Sequence, residues 1–94
     1  MNLPSYIMIY AFRYALGRRT SAPDDVASEI RKHVKEFQKW EIEQMIHEIS
    51  YEEERNNLGD NCDKHIWVCL KEFLINELKA RKDEENNFST TYHS

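Results

Sequence analysis

Residues able to bind an anion concentrate in one short stretch of this 94-residue chain: Tyr10, Arg13, Tyr14, Arg18, Arg19 and Thr20. Guanidinium groups grip phosphate through a bidentate fork. Tyrosine rings offer a π-face on which a base stacks. The Thr20 hydroxyl and the amides that open the next helix add anion donors. Together these are the parts of a site for a nucleotide or another phosphorylated ligand. The same residues also have a purely structural use. The tyrosines suit a core or an oligomer interface, and the arginines suit pairing with an acidic stretch further on. Arg18 and Arg19 also suit the carbonyl end of a helix, which favours positive charge.

Other reactive groups form no complete constellation. Cys62, His65 and Cys69 fall at i, i+3 and i+7, on one helical face. Thiolate and imidazole suit zinc, but three ligands on one helix without a fourth are unlike a closed structural site. No metal is assigned to them. A Cys–His pair on one helix also lacks the third group that orients a nucleophile's base. Glu43, Glu48, Glu52, Glu53 and Glu54 supply carboxylates with no sign of a buried pair. His47-Glu48 lacks the second His of a His-Glu-x-x-His metal motif, and there is no phosphate loop. The sequence therefore assigns no catalytic residue and no cofactor, and the expected class is a non-enzyme.

Net charge is −4, so the chain as a whole is not a typical nucleic-acid binder. Helix-turn-helix recognition is also disfavoured. No helix opens with the Arg, Asn or Gln run of a recognition helix, and the third opens with acids. The charge is nonetheless segregated. Residues 1–20 carry Arg13, Arg18 and Arg19 and no acid. Residues 41–54 carry Glu41, Glu43, Glu48, Glu52, Glu53 and Glu54 and no Lys or Arg. An acidic face serves solubility first and a basic partner second.

Ninety-four residues make one small domain, with 40% hydrophobic and 12% aromatic residues and only two Gly and two Pro. Few turn formers and many Glu, Lys and Leu predict an all-α fold, a small bundle of four helices with an apolar N-terminal helix at its centre. The domain is expected over 1–82, with 83–94 a flexible C-terminal tail. Cys62 and Cys69 lie roughly 10 Å apart along one helix, too far for an unstrained disulfide. They read as free thiols of a reducing, cytoplasmic compartment. The N-terminal apolar run contains Arg13 and is too short to span a bilayer, so no membrane partner is expected.

The elements that must position the Tyr/Arg cluster follow from spacing. Helix 1 starts at Pro4-Ser5, runs to Leu16 and is capped by Gly17. It is apolar around nearly its whole circumference, which predicts a homo-oligomer. It should pack on helices 2 and 4. Ser21 and Asp24 resemble a capping box before helix 2, whose seam is Val26, Ile30, Val34 and Phe37. The phase then breaks near Gln38-Lys39, because Ile42, Met45, Ile46 and Ile49 form a new seam. Gly59 ends helix 3. Helix 4 runs from Cys62 to about Arg81 with Ile66, Leu70, Phe73, Leu74, Glu77 and Leu78 inward and Trp67 at the border.

The segment Tyr10-Ala-Phe-Arg-Tyr-Ala-Leu-Gly-Arg-Arg-Thr20, with Cys62-Asp63-Lys64 and Trp67 further on, resembles a group of short accessory proteins encoded by phages and prophages. The resemblance implies the product of a phage or mobile-element gene, small, non-enzymatic and located in the host-cell cytoplasm, and counter-defence is a common role of phage proteins of this size. Two readings follow. In the first, the Tyr/Arg cluster sequesters a nucleotide-like small molecule held between subunits. In the second, the acidic helix 3 inhibits a host or CRISPR defence protein by direct contact.

Overall fold

A computed structural model describes the backbone over residues 5–18, 23–59 and 61–93, and the side chains over 7–16, 23–59 and 61–82. The fold is all-α: α1 (Ser5–Arg18), α2 (Pro23–Lys32), a 3-10 turn (Val34–Glu36), α3 (Lys39–Glu54) and α4 (Asn61–His93). The capping box proposed around Ser21 lies outside the described residues, as do the side chains of the tail. The helical backbone of α4 continues past the expected end at Arg81. None of the helices, among the described residues, is long and apolar enough to cross a membrane.

α2 opens with Pro23, whose missing N–H costs nothing in a first turn. Asp24 and Asp25 at its start and Arg31 and Lys32 at its end complement the helix dipole. The single helix expected through Phe37 is in fact shorter. After Lys32 the chain tightens into the 3-10 turn, then Phe37 and Gln38 are extended. The Gln38 N–H donates to Glu41 Oε1 at 2.7 Å, so the new helix begins with its own cap. That use accounts for Glu41 being buried despite its charge.

The end of α3 differs from the sequence reading. Asn56, at φ 56°, takes the left-handed position that Gly59 was expected to supply. The Asn57 N–H reaches the Glu52 carbonyl and the Asn56 N–H the Glu53 carbonyl, at 2.9 and 3.0 Å. This is the Schellman pattern, which Asn tolerates because it visits the left-handed region more easily than most residues. Gly59 is left-handed too, at φ 100°, but it belongs to the entry of α4. Leu58 is buried between them and fixes the loop to the core.

α4 lies along α2 and α3, and α1 packs on α2 and α3. α1 reaches α4 as well, through Phe12 and Trp67. The core holds Met8, Ile9, Phe12, Ala15 and Leu16 from α1; Ala27 and Ile30 from α2; and Val34 and Phe37 from the turn. α3 adds Ile42, Met45 and Ile49, and α4 adds Trp67, Leu70 and Leu74. Trp67, expected at the border, is among the most buried side chains.

Candidate functional site

One face of α1 enters the core; the opposite face does not. Met8, Ile9, Phe12, Ala15 and Leu16 are inward, while Ile7, Tyr10, Ala11, Arg13 and Tyr14 remain exposed. Tyr10 and Tyr14 are therefore not core residues. Tyr10 is 74% exposed, which leaves nearly its whole ring available for contact.

Arg13 is held by α3. Its Nε donates to both carboxylate oxygens of Glu48, at 2.9 and 3.1 Å. The pairing with the acidic stretch, one of the two readings of the arginines, is thus realised at Arg13. A guanidinium has five N–H donors, however, and this arrangement occupies only one. The two terminal nitrogens of Arg13 make no hydrogen bond among the described residues, and the side chain is 53% exposed. Glu48 orients the group and leaves its outer fork open.

Arg13 lines two clefts along the α1–α3 groove. The first, about 370 Å³, is bordered also by Leu16, His47, Glu48, Tyr51 and Glu52. Its two carboxylates disfavour an anion. Glu48 is offset by Arg13, and Glu52 accepts from Asn57 Nδ2 at 2.6 Å. Tyr51 is stacked under Arg55, whose Nη1 also donates to the Tyr51 hydroxyl at 2.9 Å. The second cleft, about 260 Å³, is bordered also by Ile9, Tyr10, Trp40, Glu41 and Gln44. Its only acid among the described residues, Glu41, already accepts the Gln38 N–H. Trp40 is 65% exposed. Two aromatic rings, an amide and a guanidinium fork therefore border one opening.

The structure brings Tyr10 and Arg13 to the same cleft and leaves Tyr14 bordering neither. The Arg18 side chain, Arg19 and Thr20 lie outside the described residues. Trp40 and Gln44 were missed from sequence. They are four apart on α3, so they share a face, and that face is not the seam of Ile42, Met45 and Ile49. A tryptophan off the apolar seam was the available signal.

The acidic helix is largely occupied by the protein itself. Glu41 caps α3, Glu48 holds Arg13, Glu52 accepts from Asn57, and Glu53 pairs with Lys71 of α4. Elsewhere, Cys69 Sγ lies 3.5 Å from His65 Nε2, and Cys62 and Cys69 are both free. Among the described residues no group of three or more His, Cys, Asp or Glu side chains is arranged to hold a metal ion.

A further polar cluster, at the junction of the 3-10 turn with α4, is structural. Arg81 Nη1 and Nη2 donate to the carbonyls of Phe37 and Val34, each at 2.9 Å, and its Nε donates to Glu77 at 2.9 Å. Lys35 Nζ donates to both Glu77 oxygens at 3.1 Å. This clamp ties the 3-10 turn to α4. Burial pushes the Glu77 carboxyl up, but the hydrogen bonds and charges of Arg81 and Lys35 outweigh it and hold it below its ordinary value.

Comparison of the chain with protein-family models, with curated proteins and with solved structures finds no match.

Proposed function

We propose that this chain acts by binding rather than catalysis, and that it takes a phosphorylated, nucleotide-like ligand in the cleft between α1 and the start of α3. The observation that supports this is the sharing of one opening by the exposed Tyr10 and Trp40 rings and Arg13, whose terminal nitrogens are unpartnered among the described residues. Aromatic rings stack a base with about 1–3 kcal/mol per contact. The Gln44 amide suits a base edge, and the Arg13 fork suits a phosphate. Arg18, Arg19 and Thr20 belong to the same proposed site by position in sequence. A counter-defence role in a phage-infected cell rests only on the resemblance of the Tyr10–Thr20 segment.

The test is a thermal-shift series with linear and cyclic nucleotides, read together with the fluorescence of the exposed Trp40. A ligand at a hundred times its dissociation constant adds about 2.7 kcal/mol to stability. Quenching in the native chain and its loss in Trp40→Phe would support the cleft. No shift and no quenching with any nucleotide would remove the proposal. Inhibition of a host protein through α3 then becomes the reading to test. It has fewer acids to work with, because Glu41, Glu48, Glu52 and Glu53 are engaged within the chain.

A further inference from the structure

Of the seven lysines, Lys32, Lys35 and Lys71 stand beside glutamates. Lys39, Lys64, Lys79 and Lys82 make no ion pair among the described residues. Three of these, Lys39, Lys79 and Lys82, border one cleft of about 380 Å³ between the start of α3 and the middle of α4. Ile75 and Leu78 give the cleft an apolar wall. Glu43 is its single acid among the described residues, where it is likewise unpaired. Arg81 borders the cleft too, but each of its three nitrogens already donates, to Glu77 or to the Phe37 and Val34 carbonyls. Its part there is mainly charge.

Helix electrostatics give these lysines no use. Lys39 is the first residue of α3, the end at which the helix dipole disfavours a cation. Lys79 and Lys82 lie inside α4, well short of its last turn at His93, so the dipole does not favour them either. They are three residues apart and neighbours on one face, where like charges repel. The chain has 17 acids against 13 Lys and Arg. A cluster of cations facing one acid therefore runs against the composition, and an anion in the cleft would relieve the repulsion.

We propose that the α3–α4 cleft is a small-molecule site of its own, for an organic polyphosphate. An ammonium group binds phosphate as a point charge and does not demand one bidentate geometry. Three of them, supplied from two helices, suit a chain of two or three phosphates better than a single one. Ile75 and Leu78 take the organic part of the ligand. The volume lies within the range of small-molecule sites, roughly 300–1,000 Å³. The cleft shares no bordering residue with the Tyr10–Trp40 opening, and no aromatic ring borders it among the described residues. It therefore works by charge where the other works by stacking, and it does not rest on the reading of that opening.

Calorimetric titration of the full chain with inorganic triphosphate at low salt should show binding that weakens as salt is added. Arg13→Ala with Trp40→Phe should leave that titration unchanged. In this background, which removes the other cleft, ATP should bind more tightly than triphosphate because only ATP reaches the apolar wall. Lys39→Gln with Lys79→Gln should weaken both probes about tenfold. Glu43→Gln should tighten both about two- to fivefold, a gain that damage to the fold does not produce. Absence of binding overturns the proposal, as does binding indifferent to the lysine pair and to Glu43, or ATP no tighter than triphosphate. Asp83, Glu84 and Glu85 follow Lys82 in the sequence. Binding seen only after Asp83→Asn, Glu84→Gln and Glu85→Gln would make the chain's own acids the counter-charge, and would overturn it equally.

Discussion

Phe12 of α1 and Trp67 of α4 meet edge to face, with ring centroids 5.7 Å apart and planes at 81°. Both are fully or almost fully buried. This pair joins the N-terminal helix to the longest one, so truncation at either ring should loosen the attachment of α1. Trp67→Ala should cost about 3–5 kcal/mol in urea unfolding. A double-mutant cycle with Phe12→Leu and Trp67→Leu should return a coupling of about 0.5–1.5 kcal/mol. Additive effects would show that the rings contribute through burial alone.

The Arg81 clamp predicts an acid-sensitive stability. Glu77 is only 9% exposed and its carboxyl is held below its ordinary value of 4.5. A group whose folded value is depressed contributes stability that is fully present above its unfolded value and is lost as pH falls through the folded one. Urea midpoints measured downward from about pH 6 should therefore fall in a step that Glu77→Gln flattens. Arg81→Met should cost about 2–4 kcal/mol, because it leaves Glu77 buried with Lys35 alone and removes donors from the Val34 and Phe37 carbonyls.

Gly59 should not accept a side chain. Its φ of 100° lies where L residues are strained, and a Cβ there would stand 2.9 Å from Asp63 Oδ2. Gly59→Ala should destabilise the protein by about 1–2 kcal/mol in thermal or urea unfolding. Asn56→Gly, at the other left-handed position, should be neutral or mildly stabilising.

Arg13 offers a way to separate binding from folding. Its pair with Glu48 is more than half exposed on the arginine side, so screening leaves it little weight in stability. Arg13→Ala should shift the urea midpoint by less than about 1 kcal/mol. It should nevertheless abolish any nucleotide-induced thermal shift. Unfolding of this variant would assign the residue to structure instead.

The helix positions and most of the core were legible because apolar spacing carries them. Ile42, Met45 and Ile49 on α3 and Leu70 and Leu74 on α4 lie inward as their period predicts. The break at Gln38 was legible as a change of phase, although neither Gly nor Pro marks it. What periodicity could not show was how polar groups are spent. Glu41 reads as a surface acid and is a buried cap. Arg81 stands in the sequence only as the expected end of helix 4, and it holds two backbone carbonyls of a turn distant in sequence. Trp67 stands beside the expected seam, and only the approach of Phe12 from another helix places it at the centre. The candidate site was half legible. Tyr10 and Arg13 are on one helix and could be paired by spacing, whereas Trp40 and Gln44 reach them only through the packing of α1 on α3.

The extended residues Phe37 and Gln38 set an angular offset between two consecutive seams. Each residue advances a helix by about 100°. Removing one position between the 3-10 turn and Lys39 would therefore turn α3 about its axis, carrying Ile42, Met45 and Ile49 out of the interior. Trp40 would swing away from Tyr10 in the same movement. That joint is a spacer whose length, more than its residue types, is under constraint, and a shortened version should lose the fold and the cleft together.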